Sequence, residues 1–238
     1  MKLIKKGKTK DVFELENGNF KLAFTGRVTK NDAGEIDPGG NNVSDELVPG
    51  KAAACYRMTM GIFLDLEHKY GVDTHLIEGD PNDLSITVKR GKLYRPGLEF
   101  IGRWWCTGSL YRRFKSIPGV KDGVRLPVPI YEITLKDDAA GDPLLNKTIM
   151  LSLGIVDTHD ELDCLKTTSR NILSNLFEMF ASRGLDLWDA KIELCLDGTG
   201  SPVLIDEISP DACRAYKKGT KERVTGQELA DHFYPYLG

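Results

Sequence analysis

One long amphipathic segment in the second half of the chain constrains the fold most. Between Asp160 and Arg183, apolar residues recur every three or four positions, the spacing that places them on one face of an α-helix. This apolar stripe comprises Leu162, Leu165, Ile172, Leu173, Leu176, Phe177 and Phe180. Thr158 and Glu161 have the spacing of a capping box, and Gly184 fits a C-terminal cap. The segment therefore predicts a single long helix.

Strand signals surround this helix. Asn17-Gly18 is a dipeptide favoured in tight hairpin turns, and alternating residues flank it. Residues 98–105 alternate in the same way, and residues 187–197 and 202–209 read as two strands joined by a turn. Residues 31–50, rich in Gly, Asn, Asp and Pro, predict a long irregular loop, and the glycine- and proline-punctuated residues 118–129 predict another loop. The predicted elements follow the order of several strands, one long helix and a final strand pair. This order indicates an α+β fold rather than a repeating βαβ sheet.

Composition and charge exclude several classes of protein. The net charge of −3 argues against a chain that mainly binds nucleic acid. No apolar run reaches the ~20 residues of a membrane helix, and the N-terminus lacks the apolar stretch of a secretory signal. The five cysteines are scattered without a CxxC pair, so we expect free thiols in the cytoplasm and no zinc site.

Two carboxylates on the closing strand pair are a candidate metal site. Lys191 and Glu193 share one face of the first strand, and Asp206 lies on the second. If the turn between the strands has an even number of residues, Glu193 lies opposite Asp206, with Cβ atoms about 5 Å apart. Such a pair repels unless a cation lies between, and Mg²⁺ with nucleotide phosphates would fit. Alternatively, Glu193 simply pairs with Lys191 on a solvated face.

Three further segments carry charged or hydroxyl side chains of a kind that bind anions or polar ligands. Gly7-Lys8-Thr9-Lys10 is a short loop between strands whose amides and lysines suit phosphate, although it is not a Walker A sequence. Arg103 precedes Thr107-Gly108-Ser109, which reads as a helix start. The segment 136–143 is an acidic loop with one lysine that suits a small zwitterion. Each segment also has a plain structural explanation as a solvated strand, a capped helix or a turn.

Four motifs together give the chain a resemblance to a known family. They are GKTKDVFE, CTGSLYRRF, LKDDAAGDP and GLDLWDAKIELCLDGTGSPVLIDEISPDACR, and they span residues 7–214. In this order they resemble the SAICAR synthase family. The resemblance implies an ATP-grasp-like α+β fold with a smaller β-rich lobe over residues 1–80, a larger lobe over residues 81–238 and the nucleotide between them.

The resemblance also implies an activity and roles for individual residues. The activity is ATP- and Mg²⁺-dependent ligation of L-aspartate to the carboxylate of carboxyaminoimidazole ribonucleotide, in de novo purine biosynthesis. Lys8, Lys10, Lys191 and Glu193 would bind ATP, with Glu193 and Asp206 holding Mg²⁺. Arg103, Ser109 and Arg214 would bind the ribonucleotide, which Asp211 would help to orient. Lys136, Asp138 and Asp142 would lie near the aspartate and the reacting carboxylate.

Some positions depart from the family pattern. Trp104 stands beside the presumed substrate arginine where the family commonly has Asn, and Ala215 follows Arg214 in place of Trp. Ala230 and Tyr234 replace a lysine and an arginine near the end. These changes leave open a ligase of the same fold that acts on a different carboxylate or amine in a specialised nucleoside pathway. Small-molecule substrates and a homodimer are the partners that the resemblance implies.

Overall fold

A computed structural model describes residues 1–30, 33–34, 42–94 and 97–234 of the chain. Within these ranges the strands are β1 Lys2–Lys6, β2 Lys10–Glu14, β3 Phe20–Phe24, β4 Arg27–Lys30, β5 Asn42–Leu47, β6 Leu76–Asp80, β7 Ser85–Val88, β8 Leu98–Cys106, β9 Val124–Leu135, β10 Leu185–Leu196, β11 Pro202–Ile205, β12 Cys213–Lys217 and β13 Arg223–Val224. The α-helices are α1 Lys51–Tyr70, α2 Gly108–Phe114, α3 Lys147–Ser152, α4 His159–Ser182 and α5 Gly226–Asp231, and a 3₁₀ turn spans Asp138–Ala140. None of the helices in these ranges has the length and apolar composition of a membrane-spanning segment.

The first sheet is built from the N-terminal third of the chain. Its strand order is β1-β2-β3-β7-β6, with antiparallel neighbours. The predicted hairpin around Asn17-Gly18 joins β2 to β3, with Glu14 opposite Phe20. Helix α1 packs on this sheet and buries Tyr56 and Phe63 completely. A separate two-stranded sheet pairs β4 with β5.

The second sheet carries the long helix. Its order is β13-β12-β10-β8-β9, and β11 also pairs with β10. Helix α4 covers one face, and the sequence predicted its bounds to within one residue. The Thr158 hydroxyl accepts a hydrogen bond from the Glu161 amide (3.1 Å), as a capping box requires. Gly184 follows in the left-handed conformation, with φ 74°. The observed fold is thus α+β, as predicted.

The two larger sheets meet where the residues just before β6 approach β11. Thr74 forms a parallel bridge with Leu204, and the His75 amide donates to the Leu204 carbonyl at 2.9 Å. Helix α5 closes the other side of α1, where a Cβ on Gly61 would lie 1.8 Å from the Phe233 carbonyl oxygen, so only glycine fits. The first sheet extends to Val88, and the division of the chain at residue 80 stays a prediction.

Two segments expected to be irregular contain strands. The predicted loop over residues 31–50 includes β5, which pairs with β4, while residues 31–32 and 35–41 lie outside the described residues. The glycine- and proline-punctuated segment before residue 129 contains the first half of β9, in which Val124 pairs with Cys106. β9 is an edge strand of its sheet, so its prolines, which lack an N–H donor, are tolerated there.

The positions that depart from the family pattern lie mainly in the core. Trp104 stacks on Phe177 of α4, with ring centroids 4.8 Å apart, on the face of the sheet opposite to Arg103. Ala215 and Ala230 are buried. Tyr234 lies edge-on to Tyr56 at 6.3 Å. These substitutions therefore change the packing of the core.

We expect His75 to make the protein less stable in acid. Burial, reinforced by nearby lysine charges and opposed by Asp206, lowers the pKa of His75 from 6.5 to about 4. The unfolded chain takes up a proton at this residue as the pH falls through 6.5, whereas the folded protein does so only near pH 4. The free energy of unfolding should therefore fall by up to about 3 kcal/mol between these values.

Urea unfolding at pH 7.5 and pH 5.0 measures this effect in the wild type and in His75→Gln. The wild type should lose more stability than the variant between the two pH values, because only the wild type carries this titrating ring. An equal loss in both proteins would assign the acid sensitivity to other groups.

Candidate active site

Two adjoining cavities lie at the junction of the sheets. The first, of about 430 Å³, is lined by the Gly7–Lys10 loop, Lys51, Glu99, Lys136, Asp138, Asp142, Lys191, Asp206, Glu207, Asp211 and neighbouring residues. The second, of about 250 Å³, is lined by Arg103, Ser109, Arg112, Asp189, Arg214 and Arg223 among others. Glu99, Lys191, Asp211 and Ala212 belong to both. All the candidate residues except Glu193 line one cavity or the other, and Glu193 binds two lysines of the first.

The Gly7–Lys10 loop points two lysines into the first cavity. The Gly7 amide donates to the Lys10 carbonyl at 2.9 Å, and a Cβ at Gly7 would lie 2.6 Å from that oxygen. Glycine is therefore required for this turn. Lys8 Nζ lies 2.7 Å from an oxygen of Asp138, and Lys10 Nζ lies 2.8 Å from one of Asp206. The loop thus meets the acidic loop and the end of β11.

Glu207 fastens this loop to the second sheet, a role that the sequence analysis missed. Its buried carboxylate accepts from the Thr9 hydroxyl at 2.7 Å and from Lys10 Nζ at 2.9 Å. Ser209 Oγ lies 3.3 Å from the same group. The only signal in the sequence was its position next to Asp206 in the segment after the closing strand.

The register of the closing strand pair differs from the one that would place Glu193 opposite Asp206. The turn over residues 197–201 has five residues, so Glu193 lies opposite Ile205. Asp206 follows the strand with φ 71°, a left-handed conformation that turns the chain at this point. Lys191 nevertheless reaches both carboxylates, with Nζ 2.8 Å from Glu193 and 3.9 Å from Asp206. The two carboxylates therefore share a lysine.

Lysines and carboxylates alternate across the floor of the first cavity. Lys136 Nζ lies 2.6 Å from Glu193, on the same oxygen as Lys191, and Lys191 Nζ lies 3.3 Å from Glu99. Burial alone would raise the pKa of Asp206, but Lys10, Lys136 and Lys191 outweigh it and hold that pKa well below 3.8. Burial alone would lower the pKa of Lys191, and its carboxylate neighbours raise it instead. Asp206 and Lys191 therefore stay charged at neutral pH.

The donor set suits Mg²⁺ only in partnership with phosphate. In the part of the chain that the structure describes, no three His, Cys, Asp or Glu side chains gather as metal ligands. Mg²⁺ bound with nucleotides commonly takes one or two carboxylates plus phosphate oxygens and water. Glu193 and Asp206 supply two such carboxylates and face cations that a phosphate would also attract. The residues present therefore fit a phosphate-borne Mg²⁺.

The second cavity brings together the three residues predicted to bind the ribonucleotide. Arg103 Nη2 donates to Ser109 Oγ at 2.7 Å, while its Nε contacts Glu132 at 2.7 Å. Arg103 and Arg214 bind the same oxygen of Asp189. Burial raises the pKa of Asp189, although the two arginines oppose this. Asp189 thus fixes two guanidinium groups side by side, a geometry suited to phosphate or carboxylate.

The glycine before Ser109 makes room for this pair. Gly108 has φ 58°, and a Cβ there would lie 2.8 Å from Arg214 Nη1. Helix α2 therefore begins close to the guanidinium of Arg214, as the segment Thr107-Gly108-Ser109 suggested. The neighbouring Trp105 packs away from the cavity against Trp188, with ring centroids 5.7 Å apart.

The remaining acidic candidates line the first cavity. Asp142 accepts from the Asp137 amide at 2.9 Å, which shapes the acidic loop. Asp211 pairs with Lys51 Nζ at 2.7 Å, and the same ammonium donates to the Arg27 carbonyl at 2.8 Å. Lys51 is the first residue of α1, and its contact with Asp211 was not predicted. The two residues are 160 positions apart in the chain, so no local sequence pattern indicates their contact.

Comparisons with known proteins find relatives of similar sequence and fold. The family described as SAICAR synthetase matches residues 3–233. A phosphoribosylaminoimidazole-succinocarboxamide synthase of Clostridium tetani is 37% identical over 220 residues, covering 92% of this chain and 94% of that protein. The crystal structure of such a synthase from Ehrlichia chaffeensis has a TM-score of 0.85, with full coverage of both chains and 24% identity.

A further similarity is to a structure with a bound nucleotide. A SAICAR synthetase in complex with ADP has a TM-score of 0.79 and 28% identity, covering 93% of this chain and 87% of that one. The family match spans nearly the whole chain, and the similarity to the Clostridium protein spans nearly the whole length of both proteins. The chain belongs to the SAICAR synthetase family.

Proposed function

We propose that this protein is an ATP-dependent amide ligase that joins L-aspartate to carboxyaminoimidazole ribonucleotide in purine biosynthesis. The observation that carries the proposal is the junction of the two cavities. A lysine-rich cavity suited to nucleotide phosphates adjoins one with paired guanidinium groups, and Lys191 and Asp211 belong to both. Two anionic substrates would therefore meet at this boundary. The relative bound to ADP supports ATP as one of them.

The chemistry proceeds by two displacements. A carboxylate is a poor acylating agent, so one of its oxygens attacks the γ-phosphorus of ATP, and ADP leaves. The amine of aspartate then attacks the carbonyl carbon of the acyl phosphate; inorganic phosphate leaves and the nitrogen loses a proton. Catalysis of such steps rests mainly on positioning and on neutralising charge. The products are the succinocarboxamide, ADP and phosphate.

The residues of the first cavity take the nucleotide side of this reaction. Lys8, Lys10 and Lys191 bind the phosphates, and Glu207 keeps the loop that carries the first two in place. Glu193 and Asp206 would hold Mg²⁺, which supplies positive charge to the phosphates when bound. The pKa of Asp206 is held well below 3.8, and Glu193 is paired with Lys191. Both carboxylates therefore serve as ligands rather than as proton acceptors.

The second cavity and the acidic loop take the other two substrates. Arg103, Ser109 and Arg214 bind the ribonucleotide, and Asp211, held by Lys51, orients it. Lys136, Asp138 and Asp142 lie beside the aspartate and the reacting carboxylate. The proposal includes an ATP-grasp-like arrangement, in which the nucleotide lies between a lobe of residues 1–80 and a lobe of residues 81–238. It also includes a cytoplasmic homodimer.

A ligase acting on another acid or amine is not favoured. The departures that suggested it, at Trp104, Ala215, Ala230 and Tyr234, lie in the core or pack against it, and none lies on the walls of the two cavities. Most of the residues that line the two cavities lie within the four motifs that carry the resemblance to the family.

Phosphate release tests the proposed function. We expect release only when ATP, Mg²⁺, L-aspartate and carboxyaminoimidazole ribonucleotide are all present, with the succinocarboxamide detected by mass. Omission of Mg²⁺, or its removal with a chelator, should abolish turnover. Release of phosphate without the ribonucleotide, or a product that lacks the aspartate mass, would contradict the proposal.

Arg214→Ala should act on the ribonucleotide much more than on ATP. The substitution removes a charged donor from the second cavity, and such a donor contributes about 1.5–3 kcal/mol. The KM for the ribonucleotide should therefore rise by about tenfold or more, with a small change in the KM for ATP. Steady-state kinetics with each substrate varied in turn measure the difference. Equal increases in both KM values would show that Arg214 does not bind the ribonucleotide.

A further inference from the structure

A third cavity lies on the far side of the second sheet from the candidate active site. It has a volume of about 540 Å³ and lies between β9, α3 and α4. Phe100 forms part of its floor, while the flanking residues Glu99 and Ile101 face the active-site cavities. Neighbouring strand residues point to opposite faces, so the sheet separates the two places. The proposed ligase reaction uses none of the side chains on this floor.

The floor of this cavity is apolar and well packed. Phe100, Met150 and Leu173 are at most 1% exposed, and Ile133 is also buried. Leu144 forms part of the wall and is 40% exposed. A concave volume of this size with an apolar lining and a few polar groups is typical of small-molecule sites. An apolar or aromatic body would fit this floor.

Three cations stand around the apolar floor. They are Lys147 on α3 and Lys166 and Arg170 on α4. In the described ranges, none of the three forms an ion pair with a carboxylate, and Arg170 lies over the ring of Tyr131 at 5.5 Å. Lys166 and Arg170 are one helical turn apart, a spacing at which like charges destabilise a helix. A bound anion would relieve this repulsion.

We propose that this cavity binds a small organic anion with an apolar or aromatic body, at a site separate from the substrate cavities. The body lies on Phe100, Met150 and Leu173, and the acidic group meets Lys166 and Arg170. The cavity wall continues directly from the acidic loop, because Leu144 and Leu145 follow Asp142 after one residue. The site therefore stands next to a segment of the proposed active site without being part of it.

Two fluorescent probes that differ in charge test this proposal. One is 8-anilinonaphthalene-1-sulfonate, an aromatic anion, and the other is N-phenyl-1-naphthylamine, which lacks the sulfonate. The wild type should bind the anion more tightly than the neutral probe. In the double variant Lys166→Gln with Arg170→Gln, the Kd of the anionic probe should rise by about tenfold or more, and that of the neutral probe should change little.

Two further variants test whether the probes bind in this cavity: a matched control with charges removed elsewhere, and a variant with the cavity filled. Lys218→Gln with Lys221→Gln removes two exposed charges from the turn after β12, away from the cavity, and should leave both Kd values unchanged. Ser169→Leu adds apolar volume inside the cavity and should weaken both probes. Among the residues that the structure describes, the Ser169 hydroxyl bonds only within its own helix, to the Lys166 carbonyl at 3.1 Å, so no partner side chain is lost there.

The competing outcomes are distinct. Equal binding of the anionic probe by the wild type and the Lys166→Gln, Arg170→Gln variant would overturn the proposal. Displacement of the probe by ATP at the same ATP concentration in the wild type and in the Lys166→Gln, Arg170→Gln variant would also overturn it, because the probe would then occupy the substrate cavity. The ligase rate should be unchanged in these variants. The binding test therefore gives an answer whether or not the proposed ligase activity is found.

Discussion

Asp206→Asn should reduce the turnover number by about 10³-fold or more, because it removes a fixed charge at the phosphate site. In the structure Asp206 lies 2.8 Å from Lys10 Nζ and 3.9 Å from Lys191 Nζ, and its pKa is held well below 3.8. The amide is nearly isosteric but uncharged. It would keep the turn after β11 and lose the charge that aligns the two lysines and attracts Mg²⁺.

The measurement is the rate of phosphate release at saturating substrates over a range of Mg²⁺ concentrations. Asp197→Asn is a matched control, since Asp197 begins the turn between β10 and β11 and lies outside both active-site cavities. Its rate should stay near that of the wild type. The thermal unfolding temperature of Asp206→Asn should show that the fold persists. Turnover near the wild-type rate would mean that the metal and phosphate assignment of Asp206 is wrong.

Arg103→Met should lower the free energy of unfolding by about 3 kcal/mol, since it takes one of two cationic partners from each of two buried carboxylates. Arg103 is 3% exposed and contacts Glu132 at 2.7 Å and Asp189 at 3.0 Å. In the variant Asp189 still pairs with Arg214, and Glu132 still pairs with Arg113. The decrease in the free energy of unfolding should therefore lie at the lower end of the range for broken buried pairs. The same change should weaken ribonucleotide binding.

Urea unfolding compares this variant with Arg90→Met, which breaks the exposed pair between Arg90 and Glu14. Exposed pairs contribute between about 0 and 1 kcal/mol, so the control should lose little. Adding Asp189→Asn to Arg103→Met should recover part of the loss, because it removes a buried carboxylate that has kept only one of its two cationic partners. Similar losses in Arg103→Met and Arg90→Met would show that the buried network adds no more than a surface pair.

The elements that follow from local pattern were predictable from the sequence. The stripe on α4 and its capping box specified one helix, and the Asn17-Gly18 turn specified a hairpin. The shared face of Lys191 and Glu193 followed from strand alternation, and their contact at 2.8 Å confirms it. These features depend on residues near one another in the chain, for which spacing alone carries the information.

The features that depend on distant contacts were not predictable in the same way. The register of β10 and β11 depended on a turn length that the sequence left open. Glu207 holds Thr9 across 198 positions, and no local pattern connects the two residues. Lys51 was likewise not assigned to Asp211. The resemblance to the family supplied the roles of the site residues, while the geometry of their ion pairs came only from the fold.

The bond between Thr9 and Glu207 means that the Gly7–Lys10 loop is completed late in synthesis. The ribosome releases the N-terminus first, so β1, β2 and β3 can form while the segment from Asp206 to Asp211 is still untranslated. Until that segment emerges, Thr9 and Lys10 lack the partners that fix them. A nascent chain can therefore assemble its first sheet before the side chains proposed to bind the nucleotide are held in place. Under the proposed function, competence to bind phosphate arises near the end of translation, when the two distant parts of the chain first meet.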